Sequence, residues 1–333
     1  MVYIPLDIGS NPSASGIAPG RGRSTTAVVP KLIYDIGLHA GEDAAFYLRK
    51  GFRVIGVDAD DAMCCAAAER LARYVRDGRV KIVNVAIAEA SGTVTFYKSA
   101  RPQWNTLVPR WRDQNAAFGS TFTESKVEAI TLAELVKQHG QPHYIKVDIE
   151  GMDALAVRSL LETDVRPTFI SIESAFPRDP TLASIKNELR TLSELGYDRF
   201  KIVPQHKVEE QIPPKPSRDG RYVPHRFESG SSGLFGDEAP GHWMILGETV
   251  ATFRSIVRRS RLPAMLHRRL ALYGLYCRVL ERLTGIEPDL GWYDIHATRS
   301  RISPPSAPAP ARAPASARRA TARSGASNPR LRG

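Results

Sequence analysis

Cysteine is scarce in this chain. Three cysteines, Cys64, Cys65 and Cys277, are too few for a disulfide framework, and no CxxC or Cys/His spacing suggests a zinc site. No cluster of Asp, Glu and His has metal-ligand spacing either, so no metal is expected. The sequence has no apolar run of about 18 residues, the minimum for a membrane-spanning helix. Its first 30 residues lack the basic start and apolar stretch of a signal peptide. These absences argue against a disulfide-stapled secreted module and against a transmembrane protein, and they favour the reducing cytoplasm.

Net charge is also missing from most of the chain, although the whole carries +11. Residues 31–248 hold 28 Lys and Arg against 30 Asp and Glu, whereas residues 249–285 hold 8 against 1 and residues 299–333 hold 8 against none. A basic surface that tracks phosphates would have to be spread over the fold. It is confined to the C-terminal part, so a nucleic-acid partner is not expected for the globular part, and an anionic partner is conceivable only for the basic end.

What is present is an ordinary globular composition, 42% apolar and 24% charged. Residues 1–30 and 299–333 are rich in Gly, Ser, Pro and Ala and read as a flexible leader and a disordered Arg/Pro/Ala-rich tail. Between them, short β-branched runs alternate with helical segments. Strands are predicted at 32–36, 53–57, 80–85, 143–148, 168–173, 199–203 and 242–246, and helices at 42–50, 60–76, 131–139, 151–161 and 181–195. Such alternation builds βαβ units on a mainly parallel, doubly wound α/β sheet. Residues 86–97 read as two short strands around Ser91-Gly92, and 98–126 as an irregular excursion above the sheet. Residues 249–298 form a basic helical extension, with two amphipathic helices interrupted at Pro263. The domain itself is assigned to 31–248.

Chemistry-bearing residues gather at predicted strand ends. The first strand runs through Asp35, Gly37, His39 and Gly41 into a helix, a glycine-bearing turn of the kind that brings backbone close to a ligand. The second ends at Asp58, 21 residues after Gly37, where a carboxylate accepts hydrogen bonds from ribose hydroxyls. The third ends near Ala86, where an adenine could be bracketed, the fourth at Asp148 and Glu150, and the fifth at Glu173. In an open α/β sheet, ligands bind at this edge.

Four segments in order carry a resemblance: YDIGLHAGEDAAFYLRKGFRVIGVDAD from Tyr34, VNVAIAEASG from Val83, VEAITLAELV from Val127 and YIKVDIEGMDALAV from Tyr144. Together with SSGLFGDEAPGHW and WYDIHA further on, they resemble the FkbM family of methyltransferases over about residues 31–247. The resemblance implies a class I, Rossmann-like fold of seven strands with the last antiparallel, and S-adenosylmethionine as methyl donor. It implies that Asp35, Gly37 and Gly41 lie on the methionine side of the donor, Asp58 on the ribose and Ala86 near the adenine. Asp148 and Glu150 would face the sulfonium and the acceptor, and His39, where relatives often carry Asn, the donor carboxylate. The implied activity is O-methylation of a sugar, polyketide or other small molecule.

Removing a proton from an acceptor hydroxyl needs a base within hydrogen-bond reach, and Asp148, Glu150 and Glu173 are the candidates. Trp104, Trp111, Asn105 and Asn115 could cover a glycan or small-molecule acceptor, and Asp294 with His296 forms a further acceptor-site candidate. His225 and His296 otherwise read as loop or tail histidines. A nicotinamide-dependent oxidoreductase would use the same turn and the same Asp58, but the turn is GLHAG rather than GxGxxG. A nucleic-acid-binding protein acting through its Arg-rich tail is the non-enzymatic alternative.

Overall fold

The computed structural model describes residues 31–179, 181–267 and 291–300. Its centre is a seven-stranded sheet formed by β1 (Leu32–Ile36), β2 (Arg53–Asp58), β3 (Val80–Asn84), β7 (Tyr144–Val147), β8 (Phe169–Glu173), β9 (Arg199–Pro204) and β10 (Tyr293–Thr298). The order is β3-β2-β1-β7-β8-β10-β9, and only β10 runs antiparallel to its neighbours. A second sheet, β4-β6-β5, is built from β4 (Ala86–Ile87), β5 (Gly92–Ser99) and β6 (Phe122–Ile130).

Side chains alternate between the two faces of a strand, so each face of the large sheet has its own core. One face carries Tyr34, Ile36, Ile55, Val57, Ile145, Val147, Ile170, Ile172 and Ile295. It is covered by α5 (Leu132–His139), α6 (Asp153–Arg158), α7 (Leu182–Glu194) and α8 (Leu246–His267). The other face carries Ile33, Val54, Tyr144 and Phe169 under α1 (Glu42–Arg49), α2 (Asp61–Arg70) and a largely non-helical stretch that supplies Phe227, Leu234 and Phe235. Helices on both faces are the consequence of parallel strands joined by crossovers.

Local signals explain several elements. Helix α1 has Glu42 and Asp43 in its first turn and Arg49 in its last, complementing the helix dipole, while Phe46 and Tyr47 point into the core. Helix α5 begins with a capping box in which Thr131 and Glu134 each bond the other's backbone N–H. Residues 217–238 are tied to α1 by a buried ion pair, Lys50 Nζ to Glu238 Oε2 at 2.7 Å.

Several expectations are corrected. Residues 242–246 do not form the seventh strand. Met244 makes a single bridge to Phe200 and helix α8 begins at Leu246. The seventh strand is Tyr293–Thr298, expected within a helical extension, and it lies between β8 and β9. Asp294 and His296 disguised it, because a central strand rarely carries them; here every residue from Tyr293 to Ala297 is buried. Helix 60–76 breaks at Leu71 into α2 and α3 (Ala72–Arg76).

The strands flanking Ser91-Gly92 do not pair with each other. Both pair with β6, which together with α4 (Pro109–Ala117) gives the excursion at 98–126 regular structure. Helix α8 runs on through Pro263 to His267, packing Phe253, Ile256 and Val257 inward; the rest of the expected second basic helix, the leader 1–30 and the tail from 301 lie outside the described residues.

Candidate active site

The carboxyl ends of β1, β2, β7 and β8 converge. Gly37, at φ +82°, follows β1, and a Cβ there would stand 1.8 Å from the Asp148 carbonyl oxygen. Only glycine lets the turn after β1 meet the turn after β7. The N–H groups of Gly37 and Leu38 donate to Val57 O, and that of His39 donates to Asp58 Oδ2 at 2.8 Å. Asp58 Oδ1 accepts from the Asp60 N–H at 2.8 Å. Two backbone donors therefore aim the Asp58 carboxylate, and each oxygen retains a second lone-pair direction for a hydroxyl. Burial pushes its pKa up, opposed by these two bonds.

His39 has φ 49° and its Nδ1 lies 3.3 Å from Glu42 Oε2, a contact that raises the imidazole pKa. Gly41 faces Ala67 and Leu71 of the neighbouring helix, so its small size serves helix packing. Ala86 lies in a small apolar cluster with Ala88, Ala129 and Ala59 beside the Asp58 turn, while Asn84 Nδ2 donates to Asp58 O.

Beneath this edge lies a buried ionic group that the sequence reading missed. Lys146, in the middle of β7, places Nζ 3.2 Å from Asp35 Oδ1, 3.3 Å from Asp43 Oδ2 and 3.7 Å from Asp148 Oδ2. Burial raises Asp35 to about 7 despite the ammonium, and the three carboxylates hold Lys146 well above its ordinary value against its own burial. Register puts Asp35, Lys146, Ser171, His296 and Lys201 side by side across five strands, a polar row through one face of the sheet.

The acceptor-side candidates gather around the turn after β7. Glu150 adopts φ 54°, its carbonyl accepts from Thr106 Oγ1 at 2.8 Å, and Asp153 receives the N–H groups of Ile149 and Gly151. Gly151 lies against the Trp111 ring, where a Cβ would approach to 2.8 Å. Arg178, in the loop after β8, lies over the Trp111 ring at 4.5 Å from its centroid and reaches Glu150 Oε2 at 2.6 Å and Glu173 Oε2 at 3.9 Å. Burial raises Glu150 to about 8 and Asp153 to about 7, and it raises Glu173 well above its usual range, with Glu150 adding to the effect.

The structure separates the expected pair Asp294 and His296. Asp294 is paired in register with Glu173 and is pushed up by burial and by Asp148, so it belongs to the site. His296 is not a loop or tail residue. It lies one layer deeper, 1% exposed with neither ring nitrogen hydrogen-bonded, and burial drives it down to about 3. Asn105 is used internally, accepting from Ser99 N and donating to Asp60 Oδ2, and Trp104 stacks on Arg101. His225 packs against Phe46 and Arg49. Asn115 is buried on α4.

Seven carboxylates, Asp35, Asp43, Asp148, Glu150, Asp153, Glu173 and Asp294, thus face two cations, Lys146 and Arg178, among the described residues. Such an excess at a ligand-binding edge fits a ligand that is itself cationic there. S-adenosylmethionine, with a sulfonium and an ammonium beside a ribose diol, matches this donor set, and Asp58 is oriented for the diol. No group of side chains among the described residues has metal-holding geometry.

A seven-stranded sheet of this order, with its acidic carboxyl edge, is that of class I S-adenosylmethionine-dependent methyltransferases. Residues 35–199 match the methyltransferase FkbM domain, and the chain carries a domain of that family. Solved structures similar to it include a methyltransferase FkbM from Methylobacillus flagellatus KT, 17% identical over 54% of this chain and 42% of that one, with a TM-score of 0.35.

An S-adenosylmethionine-dependent O-methyltransferase from Thermotoga maritima is 12% identical over 81% of this chain and 59% of its own, at a TM-score of 0.33. A precorrin-6y C5,15-methyltransferase from Geobacter metallireducens GS-15 is 10% identical, with 81% of each chain covered and a TM-score of 0.34. The chain spans less than half the length of the Methylobacillus protein. No curated protein matches it in sequence. No helix among the described residues is long and apolar enough to cross a membrane.

Proposed function

We propose that the chain is an O-methyltransferase that methylates a hydroxyl of a small-molecule or glycan acceptor. The observation that carries this reading is the convergence of three carboxylates, half-buried Asp148 and Glu150 and buried Glu173, on the acceptor side of the edge, with Glu150 raised to about 8, within about a unit of neutral pH. When bound, S-adenosylmethionine supplies an electrophilic methyl group whose transfer needs the acceptor oxygen in line with it. The chain's residues do the rest. Asp58 holds the ribose, Asp35 and Lys146 fix the floor under the turn, and Trp111 supplies an apolar wall beside Gly151. Holding the reacting atoms in near-attack geometry supplies most of the acceleration open to such a site, and a positioned base adds about 10²–10⁴-fold.

The test is isothermal titration with S-adenosylhomocysteine, for the protein and for Asp58→Ala. Binding near micromolar that the variant loses supports the reading. Screening hydroxylated sugars and polyketides with an isotopically labelled methyl donor, against their methyl ethers as blanks, then tests the oxygen as acceptor. A folded protein that binds no S-adenosylhomocysteine refutes the reading.

A further inference from the structure

Two glutamates, half-buried Glu150 and buried Glu173, share one side of the site, and one guanidinium serves both unequally. Arg178 Nη1 is 2.6 Å from Glu150 Oε2 but 3.9 Å from Glu173 Oε2. We propose that Arg178 is a positioning residue that makes Glu150 the first of the pair to ionise and hence the proton acceptor, leaving Glu173 to keep its proton and donate a hydrogen bond to the acceptor molecule. The proposal rests on the methyltransferase reading for its chemistry, but the order of ionisation belongs to the protein alone.

Three features of the geometry point to it. The backbone of Glu150 is held by Thr106 and by the Asp153-capped turn, which sets the point from which its side chain reaches Arg178. Arg178 is held from behind by the Trp111 face, and a guanidinium that stacks on an indole while pairing with a carboxylate gives up little freedom when either contact forms. Among the described residues Glu173, ending β8, is ion-paired with no cation but Arg178, and its neighbours Glu150, Asp148, Asp153 and, across the pairing with β10, Asp294 are all acids.

The charged groups around Glu150 are Asp148 and Asp153 from its own turn and helix, and Arg178 and Glu173 from β8 and the loop after it. Like charges this close cannot all ionise together, so their protons come off in order. With the donor bound, the acceptor's hydroxyl proton would pass to the Glu150 carboxylate as the acceptor oxygen takes the methyl group and the donor's carbon–sulfur bond breaks, with S-adenosylhomocysteine as the leaving group, and Glu150 would return the proton to water afterwards.

The test needs no acceptor. NMR of the full chain with carboxyl-labelled glutamate, its signals assigned through Glu150→Gln and Glu173→Gln, follows both titrations in wild type, Arg178→Gln and Arg178→Lys. Glu150 is expected to titrate at lower pH than Glu173. Arg178→Gln should raise the Glu150 midpoint by about 1–3 pH units, as loss of an adjacent guanidinium does, and Arg178→Lys by less. A structural defect alone would not move one midpoint selectively. Glu173 ionising first, or a Glu150 midpoint unmoved in a folded Arg178→Gln or Arg178→Lys protein, overturns the proposal. S-adenosylhomocysteine titration of wild type is a separate readout, so failure of the methyltransferase reading is distinguishable from failure of this one.

Discussion

Replacing Lys146 by Met removes the one ammonium among Asp35, Asp43 and Asp148 while nearly keeping the volume of the side chain. Lys146 is 4% and Asp35 0% exposed, so the lost contacts at 3.2 and 3.3 Å are not recovered from water. Removing one partner of a buried ion pair costs about 3–5 kcal/mol. For a domain of this size each kcal/mol lowers Tm by about 2–4 °C, so the expected fall is roughly 6–20 °C.

The cost should depend on pH. In the folded protein Asp35 is raised from 3.8 to about 7, so folded chains hold a proton there that unfolded chains have released. Its contribution to stability is full below about pH 4 and is lost as the pH rises to about 7. Without Lys146 the folded-state value moves higher still, so the deficit of Lys146→Met relative to wild type should be small at pH 5 and should reach the order of the shift just given at pH 8. Calorimetric or fluorescence melting of both proteins across that range is the assay. A deficit that is absent, or equally large at both ends, refutes the view that Lys146 stabilises by neutralising carboxylates.

Other outcomes follow from the same structure. Gly37→Ala places a methyl 1.8 Å from the Asp148 carbonyl at φ +82°, so a loss of at least about 3 kcal/mol is expected by urea denaturation, with displacement of Asp148. Lys50→Met should cost about 3–5 kcal/mol by the same assay. Adding Glu238→Leu should not restore it, because the Arg218 and Asp219 N–H groups and the Ser217 hydroxyl would lose their acceptor. A chain ended at residue 290 lacks β10 and should be insoluble or molten by near-ultraviolet circular dichroism, whereas one ended at 300 keeps every sheet contact and should melt cooperatively.

Most of the fold was legible because β1, β2, β3, β7, β8 and β9 are written as β-branched runs separated by helical periods. β10 was not, since Asp294 and His296 are polar where a central strand is normally apolar; His296 fits because it joins the polar row of Lys146, Ser171 and Lys201, and Asp294 because it lies beside Glu173 at the carboxyl end of β8. Asp35, Asp58, Asp148, Glu150 and Glu173 stood at strand ends and were found there. Lys146 carried a signal that went unused: a lysine inside a strand buried on both faces must meet a carboxylate, and Asp35 sits at the matching place in β1. Arg178 and the use of Trp111 against Gly151 had no local signature, for they arise from helix α4 meeting the turn after β7 and the loop after β8.

The position of β10 has a consequence for how the chain comes to be folded. During synthesis, β8 and β9 emerge long before Tyr293–Thr298, and until then each presents an open edge across a gap of two strand spacings, roughly 10 Å. The nascent molecule is therefore a five-stranded sheet and a lone strand β9 with exposed pairing groups, a state open to mispairing with another chain. Insertion of that last strand closes the gap and at the same stroke sets Asp294 beside Glu173. The carboxylate cluster at that edge is completed only when the sheet is, so chains that stop short of β10 lack part of the cluster as well as a closed sheet.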